Sequence, residues 1–236
     1  MKILVTICAR QGSKRVKNKN IREIAGKPLI AHTIETAKEW GKADKIIVST
    51  DSEEIAEISR TYGAEVPFLR PENLSNDTAP KLPVIQHAVK YLKDIQGEEF
   101  DLIVDLDPTS PLRTVKDIEK AYNIMVNEKP LNLFSVCPAR KNPYFNMVEL
   151  DSSGYAKLCK MTENRKIFRM QDTPTVYEMN AAIYMYWAKK LFTMDTVITD
   201  ASLIYEMPPE RSIDIDSETD FKLVEFLLGH KTNRFP

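Results

Sequence analysis

Short, almost uninterrupted apolar runs alternate along this chain with longer amphipathic stretches. The runs at 2–8, 45–49, 65–69, 101–106 and 131–136 are too continuous for half-exposed strands and predict strands buried on both faces. The intervening stretches carry helical spacing. Residues 28–40 set Leu29, Ile30, Thr33, Ile34 and Ala37 on one face, and 79–92 do the same with Leu82, Ile85, Ala88, Val89 and Leu92. Three further helices open on capping-box spacing: Asp51/Glu54 for 51–62, Thr114/Asp117 for 114–126, and Ser217/Asp220 for 217–228.

Strand alternating with helix over the first 130 residues predicts βαβ units and an α/β fold with a mostly parallel, doubly wound sheet. The rhythm changes over 138–178, which is polar and irregular, with Pro138, Pro143 and Pro174 and a basic cluster of Arg140, Lys141, Arg165, Lys166 and Arg169. So short a segment buries too little surface to fold alone. It is expected to be an insertion at one sheet edge, within a single domain spanning 1–236. Apolar runs at 181–187, 202–207 and 212–215 predict the remaining strands.

Composition excludes several classes. At 43% hydrophobic and 28% charged, the 236 residues suit a globular core and not a disordered chain. No apolar stretch reaches the roughly 20 residues of a membrane helix. A net charge of −1 gives no reason to expect a nucleic-acid partner. Cys8, Cys137 and Cys159 are sparse and widely spaced, against a disulfide framework or zinc cluster; Cys8 and Cys137 are expected in the core. The opening apolar run is shorter than a signal sequence requires, so a cytoplasmic location is expected. The near-zero charge hides an asymmetry. Residues 1–28 hold eight basic side chains against Glu23 alone, and 195–220 hold eight acids against Arg211 alone. These are either two solvated faces or a polyanion site and a metal site.

Four stretches carry candidate chemistry. Residues 9–20, A-R-Q-G-S-K-R-V-K-N-K-N, follow the first strand, and ligands of open α/β sheets bind beyond the carboxyl ends of strands. Backbone N–H groups at the Gly12-Ser13 turn, amid lysines and arginines, suit a polyphosphate, although no Walker A or G-x-G-x-x-G pattern is present. By composition alone the stretch is also an ordinary exposed basic loop. Residues 212–220, S-I-D-I-D-S-E-T-D, place Asp214 and Asp216 on one face of an extended chain, a donor pair suited to Mg²⁺, or else a helix cap and a solvated acid. Residues 105–113, D-L-D-P-T-S-P-L-R, would bring Asp107 and Arg113 to the cleft mouth, unless they only punctuate a strand-to-helix turn. Residues 69–79 form a polar loop after the third strand. His32, His87 and His230 show no metal-ligand spacing and are expected to be structural.

In combination, ARQGSKRVKNKN, KPLIAHTIETA, VSTDSEEIA, GAEVPFLRPENLSND, DLDPTSPLR, YEMNAAIYMY and SIDIDSETD stand in the order seen in the CMP-sialic acid synthetases. The chain resembles that family over nearly its whole length, least in 138–178. The resemblance implies a Rossmann-like nucleotidyltransferase fold of the glycosyltransferase-A kind. It implies a reaction in which CTP and a nine-carbon α-keto sugar acid give a CMP-sugar and pyrophosphate. A homodimer joined through the inserted segment would follow. Arg10, Ser13, Lys14 and Lys19 would hold the triphosphate, on a loop backbone that includes Ala9 and Gly12. Asn20, Arg70, Ala79 and Lys81 would surround the cytidine. Asp214 and Asp216 would bind Mg²⁺ and, with Arg10 and Lys14, form the catalytic set. Asp107, Thr109, Ser110, Arg113 and Asn180 would line the sugar subsite, with Arg165, Lys166 or Arg169 meeting the sugar carboxylate, in one arrangement from the partner subunit.

Departures from the family pattern refine the expected substrate. Most sialic acid synthetases carry Gln before PTSPLR, where Asp107 stands; Lys81 replaces a small hydroxyl residue; and Ala181 replaces the glycine of an NGAIY motif. The M-Q-D-T-P run, with Arg169 ahead of it, displaces another family arginine. LDPTSPLR with TAPKLPV resembles the bacterial synthetases for legionaminic acid, a 5,7-diamino 9-deoxy relative of sialic acid. Legionaminic acid is therefore the expected substrate, ahead of N-acetylneuraminic and pseudaminic acids. A Kdo cytidylyltransferase and a non-catalytic nucleotide-binding module are weaker alternatives.

Overall fold

The computed structural model describes residues 1–13, 15–161 and 169–230. Its elements run β1 (Ile3–Cys8), β2 (Glu23–Ile24), β3 (Lys27–Pro28), α1 (Leu29–Trp40), β4 (Lys45–Ser49), α2 (Glu53–Thr61), α3 (Lys81–Gln96), β5 (Leu102–Leu106) and α4 (Val115–Glu128). The second half adds β6 (Asn132–Pro138), β7 (Val148–Leu150), β8 (Ala156–Leu158), β9 (Tyr177–Trp187), a short α5 (Ala188–Leu191), β10 (Ser202–Glu206) and α6 (Glu218–Gly229). Six strands form the central sheet in the order β10-β6-β9-β5-β1-β4. Only β9 runs antiparallel to its neighbours. The expected α/β architecture is therefore present, and strand order reverses at β1, between β4 and β5.

Both sheet faces are covered, which is why the parallel strands are continuously apolar. Ile3, Val5 and Ile7 of β1 pack with Ile30 and Ile34 of α1 and Ile118 and Met125 of α4. Leu4 and Ile103 point the other way, onto Leu82, Ile85 and Leu92 of α3. A third cluster joins Val16, Ile24 and Leu29 to Ile215, Phe221 and Val224, so the basic loop and α6 share one small core. Capping boxes at Thr114/Asp117 and Ser217/Asp220 are both formed.

Several expectations are corrected. Residues 65–69 are not a strand: they make only isolated bridges, Ile47 to Glu65 and Thr50 to Leu69. Pro67 removes a ladder donor in their middle. Residues 212–215 are also not a strand, and the Ile215 amide instead donates to the Thr109 carbonyl at 2.9 Å. Ser52, not Asp51, caps α2, while Asp51 accepts from the Gln11 amide at 2.9 Å. The insertion does not leave from a sheet edge. It connects β6 and β9, adjacent interior strands, and its β7–β8 hairpin pairs only with itself among the described residues. That hairpin exposes Met147, Val148, Leu150 and Tyr155.

Candidate active site

The carboxyl ends of β1, β4 and β5 open on a cleft of about 470 Å³ at the reversal point of the sheet. The basic loop forms one wall. Ala9 is buried and ties the loop to β4, its amide donating to the Ser49 carbonyl at 3.0 Å. Asn20 Nδ2 donates to the Arg10 carbonyl at 2.9 Å, closing the loop on itself, while its buried Oδ1 has no partner among the described residues. Arg10, Ser13, Lys19 and Asn20 all line the cleft, with Arg15 beside them. Gly12 lies on the exposed loop, where an added Cβ would meet nothing within 4 Å. Lys14 lies outside the described residues. Across the cleft, the loop following residue 69 supplies Arg70, Asn76, Asp77 and Ala79. Arg70 is 93% buried, and its Nε and Nη2 have no partner among the described residues. An unsatisfied buried guanidinium facing a cleft is a strong acceptor-binding group. Arg10 spans the opening to pair with Asp77 at 2.6 Å.

The cleft floor is ionic. Lys81, in the first turn of α3, donates to Asp105 Oδ2 and Asp107 Oδ2, each at 2.9 Å. Burial pulls the Lys81 pKa down, but the two carboxylates more than reverse this and raise it well above the usual lysine value. Burial likewise opposes ionisation of Asp107, yet Lys81 and the Thr109 amide and hydroxyl hold its pKa below the usual range. Asp105 is fully buried and also accepts from Thr6 Oγ1 at 2.7 Å and Cys8 Sγ at 3.4 Å. Cys8 therefore does not belong to the core as expected: it is only partly buried and lines the cleft.

Asp214 and Asp216 meet this floor. Lys19 Nζ donates to the Ile215 carbonyl at 2.5 Å, and buried Ile215 anchors the segment in the third cluster. Asp216 lines the cleft, 3.9 Å from Lys19 and 3.7 Å from Arg15. Ser217 performs the capping, so Asp216 is not consumed by the helix. The Asp214 pKa is pushed up to about 6, first by burial and then by the charge of Asp107, with Asp216 adding to it. Its Oδ1 is buried and unpartnered among the described residues. A destabilised carboxylate with an open oxygen, beside a second carboxylate, fits a hard divalent cation such as Mg²⁺.

The remaining expected sugar-site residues divide. Asp107 and Thr109 line the cleft. Ser110, Arg113 and Asn180 are buried behind its wall instead. Arg113 donates to the Asp107 and Ala182 carbonyls and to Thr33 Oγ1, and burial lowers its pKa to about 10. Asn180 accepts from Ser135 Oγ at 2.6 Å and donates to Ser212 Oγ at 2.9 Å, while Ser110 Oγ donates to its carbonyl. These three brace the wall and the aspartate segment. Ala181, at the glycine position, adopts φ 55° where the β6–β9 register shifts. Arg169 is exposed, pairs with Asp172, and does not line the cleft; Arg165 and Lys166 lie outside the described residues. His32, His87 and His230 make local structural contacts. Sequence reasoning missed Asp77, Cys8 and Asp105. Asp105 was accessible, because it shares a strand face with Asp107.

A cytidylyltransferase family model matches residues 4–227 of this chain. The chain belongs to the cytidylyltransferase family. Among cytidylyltransferases, a CMP-N,N'-diacetyllegionaminic acid synthase of Campylobacter jejuni is 43% identical over 97% of this chain and 96% of its own length. A protein of the same name from Legionella pneumophila is 37% identical, covering 97% of each chain. A solved structure of a CMP:2-keto-3-deoxy-manno-octonic acid synthetase complexed with CTP superposes with a TM-score of 0.70 over 98% of this chain and all of its own. At 16% identity it shows the shared fold alone.

Proposed function

We propose that this cytidylyltransferase activates a nonulosonic acid with CTP, releasing pyrophosphate, and that its sugar is legionaminic acid. The observation that carries the reading is a cleft with cationic walls, formed by Arg10, Lys19 and Arg70, whose acidic lining includes Asp107 and Asp216, with Asp214 close enough to feel the charge of both. A triphosphate needs the first and a leaving pyrophosphate with its metal needs the second. Identity of 43% to a legionaminic acid enzyme over nearly the whole chain supports the choice of sugar.

In this mechanism Arg10, Ser13 and Lys19 bind the phosphates, with Lys14 on the same loop, and Arg70 and Asn20 offer their unpaired polar atoms to the nucleotide. Asp214 and Asp216 would hold Mg²⁺, whose chemistry there would be to offset phosphate charge. Fixing both substrates in one cleft supplies the entropic part of the catalysis. Asp107 and Thr109 face the sugar; Ser110, Arg113 and Asn180 keep that wall rigid. The exposed apolar hairpin of residues 147–158 pairs with a second copy, giving a homodimer, and the enzyme works in the cytoplasm.

Pyrophosphate release with CTP and Mg²⁺ is to be measured across legionaminic, pseudaminic, N-acetylneuraminic and Kdo acids. The highest kcat/KM is expected for legionaminic acid. A preference for N-acetylneuraminic acid would retain the chemistry and refute the sugar, and CTP binding without release from any acid would refute the enzyme.

A further inference from the structure

Lys81 and Asp107 lie 26 residues apart in sequence, yet they meet in the cleft floor, where Lys81 also pairs with the buried Asp105. Most of the donor capacity of Lys81 is used. An ammonium has three N–H groups. Two go to the carboxylates, and the Tyr184 ring lies 4.6 Å from Nζ on a further side. Lys81 thus has little left to offer a ligand. Asp107 is different. Its Oδ1 accepts from both the Thr109 amide, at 3.1 Å, and the Thr109 hydroxyl, at 2.8 Å. Its Oδ2 accepts only from Lys81 among the described residues, and Asp107 lines the cleft. One acceptor position of Oδ2 therefore remains open, and the three hydrogen bonds from Thr109 and Lys81 hold its direction.

We propose that Lys81, Asp105 and Asp107 act as one specificity-determining unit that presents a single oriented acceptor, Asp107 Oδ2, to an N–H or O–H donor of the acid sugar. The inference rests on the function proposed above. A carboxylate accepts hydrogen bonds and cannot donate them, whereas an amide does both. A sugar bearing an amide or hydroxyl donor at this point completes the site. One lacking the donor leaves a desolvated carboxylate unpaired, which is how polar sites reject close analogues. Lys81 makes this acceptor tolerable in a cleft that must also admit an anionic sugar and a triphosphate. Without Lys81, two carboxylates on one strand face would oppose both substrates. Asp105 is a positioning residue: it touches Lys81, Thr6 and Cys8, and acts on the sugar only through Lys81 and Asp107.

The test is a double-mutant cycle on the full-length protein, with Asp107→Asn, Lys81→Met and the double variant. CTP is one substrate and the acid that the wild type turns over fastest is the other. Asp107→Asn is expected to raise the sugar KM about 10- to 100-fold, the range for one hydrogen bond to a charged group, with the CTP KM held within about threefold. Lys81→Met is expected to lower kcat/KM for the sugar at least as far. The double variant should be impaired at least tenfold less than the product of the two single effects, because removing Asp107 relieves the charge that Lys81→Met exposes. Independent single effects, an unchanged sugar KM, or equal rises in both KM values would overturn the proposal. If Lys81→Met fails to fold, the KM split of Asp107→Asn decides alone, since that side chain keeps its shape. Wild-type inactivity towards every acid would instead overturn the functional reading, and needs no variant to be seen.

Discussion

Asp117→Asn probes how the aspartate segment is held in place. Asp117 is fully buried at the start of α4. It receives Arg211 Nε and Nη2 at 2.9 Å each and Tyr205 Oη at 2.9 Å, as well as the Thr114 amide and hydroxyl. Arg211 stands three residues before Asp214, so this clasp ties the approach to the aspartates onto α4 and β10. An amide cannot accept both guanidinium bonds while also serving Tyr205 and Thr114, and it leaves Arg211 without a counter-charge. Breaking a buried pair costs about 3–5 kcal/mol; the partial exposure of Arg211, at 29%, reduces this to about 2–4 kcal/mol. For a chain of this size that corresponds to a fall in Tm of about 5–15 °C. The pH dependence is a second readout. Burial raises the Asp117 pKa, but the bonds from Arg211, Thr114 and Tyr205 outweigh it and hold the carboxyl below its ordinary range. A depressed carboxylate pKa stabilises above the unfolded value, about 3.9, and that stability disappears as pH falls through the lower native value. The Tm gap between wild type and variant should therefore be constant from pH 8 to about 5 and close under stronger acid. Differential scanning calorimetry across this range measures it. A gap below about 2 °C at neutral pH, or one that persists undiminished into strong acid, would refute the clasp.

Three other outcomes are expected. Asp214→Asn should abolish Mg²⁺-dependent turnover yet raise the Tm of the metal-free protein by several degrees, because the fold disfavours the charged carboxylate and the amide carries no charge; a lowered Tm with retained turnover would contradict both roles. Asp77→Asn should lower the KM for CTP about two- to fivefold, since Arg10 no longer has to leave a partly exposed ion pair to reach phosphate; steady-state kinetics with CTP varied would show it, and a raised KM would place Asp77 on the nucleotide instead. Ala181→Gly should raise Tm by about 2 °C, because left-handed backbone costs Ala about 1–2 kcal/mol and the entropy of Gly returns only part of it; an unchanged or lowered melting temperature would show that φ 55° is not strained here.

Local patterns were legible in the sequence, and long-range partnerships were not. Thr114 and Ser217 announce their helices because a capping box is complete within four residues. The continuous apolar runs of β1, β4 and β5 mark strands covered on both faces. Asp51 misled because it and Ser52 are both good caps, and only the tertiary contact of Asp51 with the Gln11 amide separates them. The same limit applies to the cleft. Arg10, Lys19, Arg70, Asp107 and Asp216 were placed by motif and do line it. Ser110 and Arg113 sit in the same motif as Asp107 but turn inward, and motif spacing carries no information about which way a side chain faces once the chain leaves a regular strand; Asn180 is buried within β9, where the register with β6 shifts. The union of Lys81 with Asp107 depends on how α3 packs over β5, which no periodicity encodes.

Product analysis of one reaction tests the proposed function most directly. The protein is incubated with CTP, Mg²⁺ and N,N'-diacetyllegionaminic acid, and phosphorus NMR follows the phosphates. Cytidylyl transfer predicts one new phosphodiester, the CMP-sugar, for each pyrophosphate released, with no CDP. Consumption of CTP to CDP and phosphate, or CTP that remains intact beside a competent acid sugar, would contradict it.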